Sequence, residues 1–377
     1  MLRIQILLLA MLLPSLALAQ RPPAVVPASQ GAVLERLPKG YAALMPGPTS
    51  TTTTTTPADR LIRVKQLLDA AARTGDARLA THADALLAAF PADDSSPELL
   101  RARAFAAQHR HDFDGAVLLL DRLIRSSPRD GDARLSRAQI QLVQGRLETT
   151  RRDCATLAFG VDSGRGMLCV AAFSLRIGDY DAAGRVLDRW LEQADQDDGL
   201  RRYALVMRAE AASRAGADAG MYFRHALTLA PDDVRTLAAY ARDLRRRGQH
   251  AQVLRLLADA PDSDGLQLER ALAADAAGSA DAARLAVAQG QRYALARAVG
   301  SEPELRDEAE FALTLQDDPQ RALALALRNF STQRDTEDVE LLIRAAAATG
   351  RPETLQPLRK WAASQDLALP PATPAGS

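Results

Sequence analysis

The sequence contains few of the residues that usually carry chemistry or charge-driven binding. Two cysteines, five histidines and three lysines occur in 377 residues, and aromatic residues make up 4% of the chain. Basic and acidic residues number 47 each, so the formal net charge is zero. This balance predicts neither a nucleic-acid partner nor a membrane-surface role, since both depend on an excess of positive charge.

Motifs for nucleophilic catalysis and nucleotide binding are also absent. The chain has no G-x-S-x-G, no P-loop and no G-x-G-x-x-G on a predicted strand. A zinc site needs three or four convergent ligands. The histidines fall in separate units, apart from one close pair: His82, His109, His111, His225 and His250. We therefore expect no enzyme activity, no metal and no cofactor. An enzyme would need titratable side chains converging from several parts of the chain.

The longest apolar run lies at the N-terminus. Arg3 precedes an apolar stretch from Ile4 to Leu13, and Ala17-Leu18-Ala19 supplies small residues for cleavage. This order predicts a secretory signal peptide over residues 1–19. An uncleaved anchor is the alternative, although the run is shorter than the roughly 20 residues that cross a bilayer. We expect an exported protein without a membrane span after cleavage, periplasmic in a Gram-negative bacterium.

Residues 20–57 are rich in proline and threonine and have no apolar period, which predicts a disordered linker. Within it, residues 31–45 ("GAVLERLPKGYAALM") are locally apolar and could form either a short docking helix or a solvated loop. Residues 367–377 are expected to be a disordered tail.

Helical periodicity with regular turns begins after Asp59. The segments "HDFDGA" (residues 111–116) and "GDYDAA" (residues 178–183) match in residue type at almost every place. Each has a helix-ending residue, an Asp that can cap the next helix, an aromatic and a small alanine. His111 thus stands where a turn glycine usually stands, so we expect a turn there and not a metal site.

A small residue recurs in phase with these turns. Seven residues before each of six turn residues lies an alanine, and the alanines are 34, 33, 38, 32 and 30 residues apart. They are Ala104, Ala138, Ala171, Ala209, Ala241 and Ala271, ahead of His111, Gly145, Gly178, Gly216, Gly248 and Gly278. Two antiparallel helices can approach closely where such a small side chain faces the partner backbone. The outer units have Leu68, Glu310 and Ile343 at this place, and are either degenerate repeats or caps.

These features resemble the tetratricopeptide repeat (TPR): a period near 34, the A-x₃-F spacing from Ala219 to Phe223, and Pro231 at the end of a unit. The resemblance covers about residues 59–364. "HDFDGA" and "RRDC" (residues 151–154), with the N-terminal signal, are also similar to a group of exported bacterial TPR proteins. The resemblance implies an all-α, right-handed α-solenoid of about nine helix-turn-helix repeats over residues 58–366.

The TPR resemblance further implies a concave groove, lined by the first helix of each repeat, that holds a partner segment. "YARDLRRRGQ" places Arg242, Arg245 and Arg246 on one helix face, where they would clamp partner carboxylates. A solvated helix face is the alternative. The equivalent groove-facing residues of other units would be Phe105, Gln108, His109 and Glu210.

We therefore predict a non-catalytic scaffold or adaptor for protein partners, with self-association through the end repeats left open. A glycan-binding or polymer-export accessory protein is the alternative, which the low aromatic content disfavours.

Cys154 and Cys169 lie on adjacent predicted helices of neighbouring repeats. Cys154 occupies the position that Leu120 and Leu187 hold in sister units, which is a core position between helices. Cys169 lies on the helix that should pack against it. We predict a disulfide that joins the two repeats, and two buried free thiols are the alternative.

Overall fold

The structure is a computed structural model that describes residues 56–193, 197–298 and 301–369. All regular secondary structure in these ranges is helical. The predicted signal peptide, the segment 31–45, nearly all of the linker and most of the tail lie outside the described residues. No helix in the described part of the chain is both long enough and apolar enough to cross a membrane.

Eighteen α-helices follow one another along the described ranges. They are α1 (Pro57–Thr74), α2 (Ala77–Leu87), α3 (Pro97–His109), α4 (Phe113–Ser126), α5 (Gly131–Val143), α6 (Leu147–Thr156), α7 (Ser163–Arg176), α8 (Tyr180–Leu191), α9 (Asp198–Arg214), α10 (Gly220–Leu229), α11 (Val234–Arg246), α12 (His250–Leu256), α13 (Asp264–Ala276), α14 (Ala282–Ala298), α15 (Leu305–Thr314), α16 (Pro319–Phe330), α17 (Thr336–Ala348) and α18 (Gln356–Ser364). A π-helical turn, Leu157–Val161, follows α6, and a 3₁₀ turn, Pro352–Leu355, precedes α18.

Consecutive helices pack as nine pairs, from pair 1 (α1 and α2) to pair 9 (α17 and α18). The predicted all-α solenoid is confirmed. The first helix begins at Pro57, inside the predicted linker, because the Thr56 hydroxyl caps it by accepting the Asp59 amide at 3.1 Å. At the other end the chain continues to pack beyond residue 366, where Leu369 lies against the core of pairs 8 and 9.

The turns inside the pairs have the left-handed backbone that the repeat pattern predicts. Gly178 has φ 82°, and His111 takes the same region at φ 58° although it carries a side chain. Asp112 caps α4 by accepting the Gly115 amide at 3.0 Å. His111 is therefore a turn residue, as the comparison with "GDYDAA" predicts.

The alanines in phase with the turns are all buried at the contact between the two helices of a pair. In pairs 1 and 9 the buried residues Leu68 and Ile343 take their place. In pair 8 the place is held by Glu310, whose buried carboxylate pairs with Arg344. Pairs 1 and 9 therefore keep the architecture with larger apolar side chains. Pair 8 places a charged side chain where pairs 2 to 7 place the methyl group of an alanine.

Successive turns of the superhelix touch. The first helix of pair 1, α1, packs against α11 of pair 6. In pair 9, the Trp361 indole donates to the Gly145 carbonyl of pair 3 at 3.1 Å, and the Arg334 amide donates to Val143 at 2.7 Å. The Arg334 guanidinium also donates to the Gln144 carbonyl at 2.7 Å. We call these contacts of Arg334 and Trp361 with residues 143–145 the seam.

The seam closes the concave side of the superhelix. Because pairs five or six places apart are in contact, the inner faces of the first helices do not line an open groove. We call the region where α7, α9 and α11 meet the start of α17 the lumen.

Candidate functional site

Three first helices place an arginine at the same repeat position. Each arginine lies two residues before the turn glycine of its pair, in pairs 4, 5 and 6: Arg176, Arg214 and Arg246. Because α7, α9 and α11 follow one another around the lumen, equal repeat positions line up along its wall. We call these three residues the arginine row. Only Arg246 was predicted from the sequence. A comparison of the residue that lies two positions before each turn glycine reveals all three.

Every member of the arginine row binds a carboxylate at the start of α17. The ion pairs are Arg176–Asp335, Arg214–Glu340 and Arg246–Glu337, the last at 3.4 Å. Arg176 also donates to the backbone carbonyl of Arg334. Helices from three different pairs thus converge on the first turns of one helix in pair 9.

The other two predicted clamp arginines face carboxylates as well. Arg242 Nε lies 3.2 Å from Glu337 Oε1, and Arg245 Nε lies 3.0 Å from Glu269 Oε2. The side chains of Arg242, Arg245 and Arg246 are 24%, 23% and 36% exposed, so they do not form a freely solvated helix face. These arginines bind acidic residues of their own chain, whereas the sequence predicted that they bind carboxylates of a partner.

Glu337 is the electrostatic centre of the lumen. Burial alone would raise its pKa, but Arg242, Arg306 and Arg246 outweigh burial and hold the pKa of Glu337 well below its usual range. The pKa values of two neighbouring carboxyls are raised instead. Burial raises the pKa of Asp338 to about 7 and that of Asp307 to about 6, although Arg306 opposes both shifts. Glu337 is therefore held in its ionised form, whereas burial favours the protonated form of Asp338 and Asp307.

Glu210 belongs to the same cluster. Burial and the nearby charge of Glu337 raise the pKa of the Glu210 carboxyl, and Arg214 only partly offsets them. Of the predicted groove residues, Glu210, Arg242 and Arg246 are thus brought together around α17, and Arg245 faces Glu269 of α13 and Glu310 of α15.

The predicted groove residues of α3 lie elsewhere. Phe105 packs against the core of pairs 1 and 2, and its ring lies 4.9 Å, centroid to centroid, from the edge-on ring of His109. Burial, followed by the nearby Arg235, lowers the pKa of His109 to about 4, so this imidazole is neutral at pH 7. Gln108 is half-buried on the same helix. The charges that act on His109 come from Arg235 of α11, from His111 and from Asp84 of α2, and not from α17.

Cys154 and Cys169 form a disulfide between α6 and α7, with their Cα atoms 5.1 Å apart. Both residues are buried in a small cluster with Leu135, Ala138 and Leu157. The bond joins pairs 3 and 4 across the π-helical turn.

Metal-binding residues do not cluster in the described part of the chain. No group of three or more His, Cys, Asp or Glu side chains among them could hold a metal ion. A cavity of about 410 Å³ lies on α10, α11 and α12, with Leu227, Tyr240 and Leu256 in its lining. A smaller cavity of about 190 Å³ adjoins the seam, between Arg146 and Arg334.

Comparisons with known proteins identify the architecture only. No protein-family model matches the chain, and no curated protein matches its sequence. Among solved structures, the human IFIT1 dimer with PPP-AAAA has a TM-score of 0.50 and 15% identity, covering 82% of this chain and 72% of that one. The APC/C hetero-tetramer Cut9-Hcn1 has a TM-score of 0.36 and 13% identity, covering 77% of this chain and 63% of that one. The likeness to IFIT1, a TPR protein, supports a TPR-like fold for this chain.

Proposed function

We propose that this chain, a TPR-like α-solenoid, is a non-catalytic scaffold that binds a protein partner through the inner face of its first helices. The arginine row is the observation that carries the proposal. Three successive pairs present a guanidinium at one repeat position, and all three guanidiniums bind carboxylates. Arginine suits this role because its planar fork of N–H donors matches a carboxylate. The partner would therefore present acidic side chains.

We also propose that the scaffold is exported and works in the periplasm of a Gram-negative bacterium. The N-terminal pattern of one basic residue, an apolar run and small residues supports export. The Cys154–Cys169 disulfide supports the same location, because disulfides persist in oxidising compartments and are rare in the cytosol.

Other ligand classes fit the lumen less well. The IFIT1 structure contains PPP-AAAA. The formal net charge of this chain is zero, whereas proteins that bind polyanions usually carry an excess of positive charge, which disfavours such a ligand. A glycan-binding site would need aromatic side chains on the lumen wall. Among the predicted groove residues Phe105 is the aromatic one, and it packs into the core of pairs 1 and 2.

The proposal is tested by crosslinking in intact cells followed by mass spectrometry. We would compare the native chain with a lumen variant, Arg242→Gln, Arg245→Gln and Arg246→Gln. The matched control neutralises three arginines on exposed helix surfaces: Arg151→Gln, Arg152→Gln and Arg284→Gln. Thermal melts followed by circular dichroism would establish that all three proteins are folded.

We expect one protein partner to be captured by the native chain and by the control, and to be lost from the lumen variant. Capture of the same partner by all three proteins would place the binding surface outside the lumen. If no protein is captured, the scaffold proposal is wrong. Binding of triphosphorylated tetra-adenylate RNA or of an oligosaccharide by the purified native chain would then identify the other ligand class.

A further inference from the structure

The start of α17 has the composition of a ligand for the arginine row. Its sequence from residue 335 is Asp-Thr-Glu-Asp-Val-Glu, and Asp335 caps the helix in a reciprocal capping box with Asp338. Carboxylates are favoured at a helix N-terminus, because the unpaired backbone amides there carry partial positive charge. The acidic residues are therefore favourably placed at this helix start, and Asp335, Glu337 and Glu340 also face the guanidiniums around it.

The contacts of this helix start separate into two kinds. The Asp338 side chain is fully buried and belongs to the interior of the C-terminal pairs. Asp335, Glu337 and Glu340, the three residues that meet the arginine row, keep 36%, 28% and 33% of their side chains exposed. On the arginine side, Arg176 and Arg214 are only 8% and 12% exposed, so these are half-buried ion pairs. The three carboxylates already contact water and can be solvated when α17 moves away, whereas Asp338 cannot. The arginines left behind would then favour another carboxylate in the same place.

Pairs 8 and 9 also have a hydrophobic core of their own. One cluster of buried residues runs from Ala309 to Leu358 and contains only residues of α15–α18 and the 3₁₀ turn between them. Its link to pair 7 includes the edge-on contact of Tyr293 with Phe311, with ring centroids 5.4 Å apart. The seam and the lumen contacts hold this unit against pairs 3 to 6. The unit can therefore separate from the lumen without losing its own core.

We infer that the arginine row is the binding site for an acidic helix N-terminus of a partner protein. In the unbound chain the start of α17, which belongs to the unit of pairs 8 and 9, occupies this site. The partner is a protein with a helix whose first turns carry carboxylates at the spacing of residues 335, 337 and 340. The inference rests on the proposed scaffold function and adds the chemistry of the partner. It also makes binding competitive, because the intramolecular occupant must leave before the partner can enter.

The test uses a fluorescently labelled peptide of residues 335–350 and the full chain. A seam variant, Arg334→Ala with Trp361→Phe, removes two side-chain hydrogen bonds of the seam and keeps an aromatic ring against Phe330. The matched control, Arg151→Ala with Trp190→Phe, removes an exposed arginine and the indole bond from Trp190 to the Gly164 carbonyl inside pair 4. Fluorescence anisotropy measures the affinity of each protein for the peptide.

We expect the seam variant to bind the peptide at least about tenfold more tightly than the native chain or the control, because its intramolecular occupant leaves more often. Adding Arg214→Gln and Arg246→Gln to the seam variant should abolish that gain. A neutral peptide, with Asp335→Asn, Glu337→Gln and Glu340→Gln, should bind all proteins weakly. Equal affinity of the native and seam proteins, or tight binding of the neutral peptide, would overturn the inference.

A charge exchange gives a second test if the seam variant does not fold. Arg214→Glu and Glu340→Arg each place like charges together in the lumen, whereas the two changes combined restore an ion pair. Small-angle scattering should show a larger radius of gyration for each single variant and the native value for the double variant. Unchanged dimensions in the single variants would contradict an exchangeable lumen contact.

The two proposals can fail separately. If a partner is captured in cells but the α17 peptide does not compete with it, the scaffold stands and the partner's chemistry is wrong. If the peptide behaves as expected but no partner is captured in cells, the scaffold proposal fails and the lumen contact is a means of closing the molecule.

Discussion

At the residue scale, His111 and Gly178 occupy the same position of the repeat, although His111 carries a side chain and Gly178 does not. Both have a left-handed backbone, with φ 58° and φ 82°. A side chain with a Cβ is strained in this region, whereas glycine is not. His111 has some compensation, because its ring stacks on Phe113 and Nε2 lies 3.3 Å from Glu304. That contact is half-exposed and contributes little.

Gly178→Ala should therefore destabilise the chain by about 1 kcal/mol. No atom lies within 4 Å of a Cβ added at Gly178, so the cost comes from the backbone alone. His111→Gly should show the opposite sign, with a gain of no more than about 1 kcal/mol. Urea unfolding of the two variants and the native chain measures both effects. An unchanged midpoint for Gly178→Ala would contradict the assigned turn conformation.

The buried Asp338 predicts a pH dependence of stability. Its folded-state pKa of about 7 lies above the value of about 3.9 expected in the unfolded chain. The folded chain then binds the proton more tightly, so the stability from this group is complete below about pH 4 and is lost as the pH rises towards 7. Asp338→Asn should flatten that decline in urea unfolding experiments. Glu337→Gln is the control, and its effect on the pH dependence has the opposite sign. Because the pKa of Glu337 is lowered in the folded chain, the stability that this group contributes is lost as the pH falls.

At the element scale, the sequence predicted the helical pairs and their turns well, because both depend on local chemistry. A residue with positive φ and an alanine seven residues earlier recur with a regular period, and in pairs 2 and 4 a capping Asp follows the turn residue. The same register contains the arginine row. Arg176 and Arg214 were not predicted, because neither has another arginine beside it, unlike the dense run Arg245-Arg246-Arg247, and only one position compared across several helices reveals them.

The disulfide should add stability where two elements meet. It closes a short loop, with its cysteines 15 residues apart, and removal of such a link costs about 3 kcal/mol in the chain-entropy description. Cys154→Ala with Cys169→Ala should lower the free energy of unfolding by this order, and adding a reductant to the native chain should have a similar effect. Thiol labelling of unfolded, unreduced protein provides an independent check. Full labelling there would show that the bond is absent.

At the scale of the whole molecule, closure of the superhelix was not predictable from the sequence. Trp361 and Gly145 are 216 residues apart, and no local pattern links them. Their contact depends on small rotations between neighbouring pairs that add up along the solenoid. The predicted clamp illustrates the difference: the sequence indicates that Arg242, Arg245 and Arg246 share a face, but only the closed fold supplies Glu337 opposite them.

Closure should also make the unfolding of this solenoid more cooperative than that of an open repeat array. In an open array each pair contacts only its neighbours, so end pairs can unfold alone. Here the seam ties pair 9 to pair 3. Arg334→Ala with Trp361→Phe should therefore increase amide hydrogen exchange in α15–α18 more than elsewhere, since local opening no longer requires breaking those bonds.

Trp190→Phe is the matched control for this change. Trp190 also donates its indole N–H to a glycine carbonyl, that of Gly164, at 3.0 Å, but both residues lie within pair 4. Its loss should raise exchange near pair 4 and leave α15–α18 protected. If the seam variant and the control raise exchange in the same helices, or if the seam variant changes nothing, the seam does not hold the two ends of the molecule together, and the lumen must then be closed by the ion pairs of α17 alone.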